Sequence, residues 1–390
     1  MIQMNKKYGK TTVFKISLLL IILVSILVFS SCRTGGTFIV PKGWSGAITD
    51  NNTLFIGTME GSIAAVSLDD GRLLWPPTPL ETQQASSGFL GCSRAPSAVA
   101  IYGTPSKTGD LVYVTGYNGK IYAYSADTGT LRWVYPRDNY LRPIVGGSIT
   151  TIDTVYFASS NGRLYALDAE TGDDTLWKEP FNIGETIWST PAISGTTLYI
   201  GSFDNKLYAI DVETGKEKWD EPFETEGAIV STPVIHDNSV IIGSFDRYLY
   251  SINKANGRQN WKFLAGNWFW ATPVVYNNTV YAGCLDGKVY AVNAANGDLI
   301  AEFDLRSPVS SSPVLVDDLV VVATEEGIVY TIDTGNNRER HLINLEEEVF
   351  APLAASQGKV YVHTSKNALY EIDAATGAKR DITIKEPGQE

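Results

Sequence analysis

Cysteine, histidine and methionine are scarce in this 390-residue chain, at three each. Cys32, Cys92 and Cys284 stand far apart, with no adjacent pair and no Cys-x-x-Cys-His haem motif. His236, His341 and His363 fall in different stretches, so the sequence offers no histidine-based metal centre. It also lacks a Gly-x-Ser-x-Gly elbow and a P-loop, which leaves hydrolase and nucleotide-binding motifs unrepresented. Basic residues are outnumbered, 31 Lys and Arg against 43 Asp and Glu, and no basic cluster occurs beyond the N-terminus. A net charge of -12 repels phosphate backbones, so nucleic acid is not an expected partner. Charged residues make up only 19% of the chain and hydrophobic ones 44%, a balance that excludes disorder and supports a large core.

The one long apolar run lies at the N-terminus. Met1–Lys15 carries four lysines and no acid, Ile16–Phe29 is an apolar run of 14 residues, and Ser30-Ser31-Cys32 follows. A positive segment, a short apolar segment and small residues before a cut site describe an export signal over residues 1–31. The run is short for a membrane span, which needs about 20 residues, although an uncleaved signal anchor is the alternative. Phe29-Ser30-Ser31-Cys32 resembles a bacterial lipobox, with Phe where Leu is usual. That resemblance implies a lipidated Cys32, a tether over residues 32–43, and a protein anchored to a bacterial membrane on its extracytoplasmic side, at the outer membrane or cell surface. Loss of the four leader lysines would bring the net charge from -12 to near -16.

Glycine (35), tyrosine (20) and tryptophan (9) are abundant, the composition of many short strands joined by tight turns. Their order is periodic. Leu164–Gly172 (LYALDAETG) recurs as Leu207–Gly215 (LYAIDVETG), and again at Leu249–Gly257, Val289–Gly297 and Leu369–Gly377, with weaker copies at Ile63–Gly71, Ile121–Gly129 and Val329–Asn337. Eight copies spaced by about 40 residues, with an insertion near Pro76–Arg94, predict one four-stranded blade per repeat. The expected fold is all-β: an eight-bladed β-propeller of four-stranded antiparallel blades over residues 44–385. In the fourth copy Thr190–Ile193 reads as the inner strand, Thr197–Gly201 as the second, Leu207–Asp211 as the third and Lys216–Trp219 as the outer one. Either Thr37–Val40 or Asp381–Lys385 could supply the outer strand that completes the last blade.

Trp75, Trp133, Trp177, Trp219 and Trp261 follow their closing glycines by four or five residues, a spacing that reads as packing between blades rather than a ligand box. Copies six to eight have Ala301, His341 and Asp381 instead, so these blades are expected to dock more weakly.

The unit Leu-Tyr-Ala-x-Asp-x-x-Thr-Gly-x-x-x-Trp resembles the PQQ-like propeller repeat, and the lipoprotein plan resembles the BamB-like branch of that family. The family includes quinoprotein dehydrogenases and cofactor-free scaffolds. The dehydrogenases stack their quinone against a disulfide of adjacent cysteines and use a Ca²⁺ site, and this chain has no adjacent cysteines. Asp204, Asp246 and Asp286 fall in equivalent hairpin turns, where Asp serves the turn itself. The resemblance therefore implies a non-catalytic scaffold, with no catalytic residue, metal or cofactor expected, binding protein partners in the cell envelope as a monomer within a larger complex. The alternatives are a PQQ- and Ca²⁺-dependent oxidoreductase and a module that binds envelope polymers or small ligands.

Aromatic residues outside the packing slot collect in the loops before the inner strands (Trp44, Trp188, Trp268, Phe269, Trp270, Phe350) and in the second-to-third-strand turns (Tyr117, Phe203, Phe245). These are expected on one face, as a protein-binding patch or as a cap over the central channel. The insertion is expected over the same face. A Cys92–Cys284 bridge could pin it there, the alternative being a free, buried Cys284.

Overall fold

The computed structural model describes residues 43–81, 99–174 and 177–384. Cys32, Cys92, the leader and Thr37–Val40 lie outside the described residues, and so does most of the insertion. Among the described residues every regular element is a strand, and the strands form eight four-stranded sheets, each from four consecutive segments. The blades span 47–79, 106–135, 149–182, 192–224, 234–264, 274–304, 314–344 and 354–382.

Blade four shows how the repeat folds. Ala192–Ser194 is the innermost strand and pairs antiparallel with Thr197–Gly201, which pairs with Lys206–Asp211. The second and third strands are buried over nearly their whole length because each blade lies between two others, hence their continuous apolar sequences. The outer strand departs from expectation: it is Phe223–Glu224, and Lys216–Trp219 contributes only an isolated bridge between Ile210 and Glu217. Pro222 precedes this strand and has no N–H to pair, so Asp220–Pro222 loops out and regular pairing resumes after it. Blade three repeats the arrangement, with Phe181–Asn182 outermost.

The innermost strands of neighbouring blades lie side by side, and Ala47–Asp50 of blade one meets Ala354–Ser356 of blade eight. The outer strand of the last blade is Lys379–Ile382, paired with Leu369–Asp373, so each described blade is built from one continuous stretch of chain. Among the described residues no strand is shared across the seam. It is held by the buried Leu54, Ile56, Tyr361, Leu369 and Ile382, and by Thr49 Oγ1 donating to Ala355 O at 3.0 Å.

Blade-to-blade docking follows one rule around most of the ring. The indole N–H of each packing tryptophan donates to a carbonyl just past the third strand of the next blade: Trp75 to Ala126, Trp133 to Ala169, Trp177 to Val212, Trp219 to Lys254 and Trp261 to Ala294, all at 2.9–3.1 Å. At three of these carbonyls a second-strand tyrosine donates as well: Tyr113, Tyr156 and Tyr199. The expected weakness of blades six to eight narrows to one junction. Arg340 of blade seven donates to Ala374 O and Ala375 O of blade eight, and Arg380 of blade eight reaches Leu68 O and Asp69 O of blade one. These arginines stand one position before His341 and Asp381 and replace the indole link. Among the described residues Ala301, between blades six and seven, has no such substitute.

The closing glycines answer to the same tryptophans. A Cβ at Gly172 (φ +72) would lie 2.6 Å from two atoms of the Trp133 ring, and Gly129, Gly215, Gly257 and Gly297 face the tryptophans of the preceding blades in the same way. In copy seven the preceding blade carries Ala301, and there the closing residue is Asn337 at φ 52. Asn tolerates the left-handed conformation, and with no indole above it a Cβ has room.

Candidate binding face

The turn between second and third strands and the loop leading into each blade meet on one face, joined by backbone hydrogen bonds. Tyr117 N donates to Ala100 O, Phe203 N to Thr186 O, Phe245 N to Ala228 O, Leu285 N to Trp268 O, Glu325 N to Pro308 O and Ser365 N to Glu348 O. The loop of the following blade then donates to the turn before it, as Phe269 N does to Ser244 O and Val349 N to Glu325 O. Two side-chain positions per blade are thereby fixed at the channel mouth. The loop position holds Trp44, Tyr102, Val145, Trp188, Val230, Trp270, Ser310 and Phe350 in blade order, and the turn position Met59, Tyr117, Ser160, Phe203, Phe245, Leu285, Glu325 and Ser365.

The aromatic members form two groups. In the first, Trp188 meets Phe203 edge-on at 4.7 Å between centroids and Trp270 at 6.3 Å, Phe203 meets Phe245 at 6.3 Å, and Phe245 stacks against both Trp268 (4.6 Å, 14° between planes) and Trp270 (5.5 Å, 22°). In the second, Trp44 meets Tyr102 at 4.7 Å and Phe350 at 5.8 Å, and Tyr102 meets Tyr117 at 5.4 Å. All nine rings are half-buried. Rings that hold one another by edge-to-face and stacked contacts need no further ligand to be ordered. Tyr102 joins this set without having been singled out in the sequence; burial, then the neighbouring Tyr117, push its phenol pKa up to about 12.

Phe269 does not belong to the face. It is 1% exposed, and its Cβ fills the space where Gly243 has none. The reason is its slot: Ile101, Ile187, Ile229, Val309 and Val349 occupy the same position one residue before the mouth residue, and all are buried. Trp268 and Trp270 flank it and point the other way.

The turn aspartates are committed to their own blades. Asp246 accepts from Tyr248 N, Tyr250 Oη and Glu226 N, and Asp286 from Lys288 N, Tyr290 Oη and Gly266 N. Asp204 accepts from Lys206 N and Tyr208 Oη. Burial first, then these hydrogen bonds, raise the pKa of all three tyrosines. The three carboxylates thus serve separate turns instead of converging on one open donor set, which is a poor fit to Ca²⁺ coordination.

Cys284 is buried beside this face, with its thiol donating to Asn267 O at 3.3 Å, and burial pushes its pKa up to about 12. Its suggested partner Cys92 lies outside the described residues. The insertion leaves and returns at the mouth: Glu81 O accepts from the Asn118 side chain in the turn of blade two, and the chain resumes at Val99 against Gly61 in the turn of blade one.

Eight sheets of four consecutive strands around a channel, with tyrosine–aspartate turns and indole links between blades, define an eight-bladed β-propeller of the PQQ-like repeat type. The sequence profile of the family described as outer membrane protein assembly factor BamB matches residues 33–182, 173–313 and 286–380, and the chain belongs to that family. The outer membrane protein assembly factor BamB of Shewanella oneidensis is 31% identical over 91 residues, a match spanning 23% of this chain and 18% of that protein. Among solved structures, BamB from Moraxella catarrhalis superposes with a TM-score of 0.67 at 18% identity, covering 84% of this chain and 93% of that one. Saccharomyces cerevisiae Sqt1 gives 0.69 at 12% identity, covering 86% and 96%. At such low identities these superpositions speak for the fold alone.

Proposed function

We propose that this protein is a non-catalytic scaffold of the cell envelope, anchored through a lipidated Cys32, which holds protein partners against the aromatic mouth of its propeller. The observation that carries the reading is the pair of preformed, half-buried ring clusters on one face. Large apolar rings held rigid by one another and left partly open are the composition of binding hot spots. The family adds weight, since its named member is an assembly factor for outer membrane proteins. The basic, then apolar, then Ser-Ser-Cys order of the N-terminus supports export and acylation, and a monomer acting within a larger complex suits a chain with one such face. No cofactor enters this reading, because the turn aspartates that could have offered Ca²⁺ ligands are engaged in their own blades.

Two variants test the parts separately. Cys32→Ser should release the protein from the membrane fraction. The pair Trp188→Ala and Trp270→Ala should abolish co-purification of partner proteins from solubilised membranes while leaving cooperative unfolding intact. Unchanged co-purification by a folded double variant would refute the assignment of the face. Saturable, Ca²⁺-dependent quenching of tryptophan fluorescence by pyrroloquinoline quinone would refute the non-catalytic reading.

A further inference from the structure

Blades three and seven have no ring at either mouth position, and of these two only blade seven places a charge there, Glu325. The stacked pair Phe245–Trp268 joins the turn of blade five to the loop of blade six. The equivalent pair two blades on, turn of blade seven and loop of blade eight, is Glu325 and Glu348. Glu325 is half-buried among the Ser310 loop and the Val349 backbone, and its carbonyl accepts from Val349 N. Phe350 follows directly and contacts Trp44 of the second aromatic group. Among the described residues no Lys, Arg or His forms an ion pair with Glu325 or Glu348, whereas the neighbouring Glu347 is already engaged by Lys366 and Thr364.

We infer that the mouth is built to receive a cationic side chain, the guanidinium or ammonium of an arginine or lysine carried on a partner's peptide segment, between Glu325 and Glu348 and beside the Phe350–Trp44 rings. Where blades five and six place two stacked rings, the half-buried Glu325 carries a desolvation cost and the exposed Glu348 adds mutual repulsion, and a cation relieves both. The Glu325 pKa agrees: burial raises it most, a hydrogen bond from Ser310 partly opposes that, and the Glu348 charge raises it further. The aromatic groups on either side add apolar contact, and a ring face adds attraction for a cation. The inference rests on the protein-binding reading of this face and specifies the chemistry of what binds there.

The test is selection from an unbiased peptide library displayed on phage, using the full chain in detergent, in three forms: wild type, Glu325→Gln, and Trp188→Ala with Trp270→Ala. Wild type should enrich peptides sharing one Arg or Lys among apolar residues, and Glu325→Gln should lose the basic preference while still selecting apolar peptides. For one selected peptide, replacing its Arg by neutral citrulline should weaken binding to wild type by about tenfold or more, the scale of a close interfacial charge pair, and should change binding to Glu325→Gln by less than about twofold. Peptides without a basic residue, selected equally by wild type and Glu325→Gln, would overturn the cation inference and leave the protein-binding face standing. No enrichment by wild type, or identical enrichment by the tryptophan double variant, would overturn the face reading and this inference with it.

Discussion

Replacing Gly172 by Asn measures how closely the blades are fitted. Asn is accepted at the same place in copy seven, as Asn337 at φ 52, so positive φ alone is a modest obstacle, about 1 kcal/mol or less. At Gly172 the new Cβ would lie 2.6 Å from Cδ2 and Cε3 of Trp133, and forcing that overlap into a packed junction costs about 1–3 kcal/mol. Removing the ring by Trp133→Ala costs about 3–5 kcal/mol in lost packing, along with one of the two hydrogen bonds to Ala169 O, while Tyr113 keeps the other. If the overlap is the reason for glycine, Gly172→Asn should cost about 1 kcal/mol or less once the ring is gone. The double variant would then be more stable than the sum of the singles by about 1–3 kcal/mol, a coupling of the size found between touching residues. Urea unfolding followed by circular dichroism gives the four stabilities, with Asn337→Gly as a control expected to change little. Strict additivity would show that Gly172 serves only its backbone conformation and would refute the steric account of the repeat.

Three further outcomes follow from the ring. Amide exchange should be fastest at the junction of blades six and seven, where Ala301 leaves the only gap in the indole and arginine links among the described junctions, and faster exchange at blades two to five would contradict it. Arg380→Ala removes the contacts to Leu68 O and Asp69 O across the seam and should lower stability by about 1–2 kcal/mol, less than for a buried pair because the side chain is partly exposed; Arg380→Lys should recover little, since one ammonium cannot span both carbonyls. His363 is buried at the same seam between Ser45 O and Asn367 Oδ1, and burial depresses its pKa below the usual 6.5 despite those two acceptors. The unfolded chain therefore binds the proton more readily, so this contribution to stability is full above about pH 6.5 and falls away as pH drops toward the folded value. Melting temperatures across pH 4–8 should show that decline, and His363→Gln should flatten it.

Much of this molecule was legible in its sequence because the repeat obeys strict local rules. Turn aspartate, third-strand tyrosine and closing glycine each have one structural job, and their spacing located every blade. Where reading failed, the cause was a residue whose job is defined by another blade. Arg340 and Arg380 pair opposite Thr331 and Glu371 as Trp261 pairs opposite Ser251, so they fill the tryptophan slot one residue early because the bulge of blades five and six is missing, and counting from the closing residue finds only His341 and Asp381. Asp220–Pro222 moved the outer strand of blade four because Pro222 cannot pair, a signal that was present but outweighed by the repeat pattern. Phe269 was grouped with its tryptophan neighbours by composition, although aligning the loops places it with Ile187, Ile229 and Val309 in a buried column. The same alignment exposes Tyr102 as a mouth residue. The pairing of Glu325 with Glu348 was not legible at all, since they belong to different blades and become neighbours only when the Phe245–Trp268 contact shows which slots touch.

The scaffold claim is tested most directly by photo-crosslinking in intact cells of the native host. A photoreactive amino acid at Trp268 on the aromatic mouth is compared with one at Ile152, which is 87% exposed in the turn between the inner and second strands of blade three, away from that face. The account predicts a discrete protein adduct from position 268 and none from 152. Adducts only from 152, or none from 268 by a folded, membrane-bound protein, would contradict it.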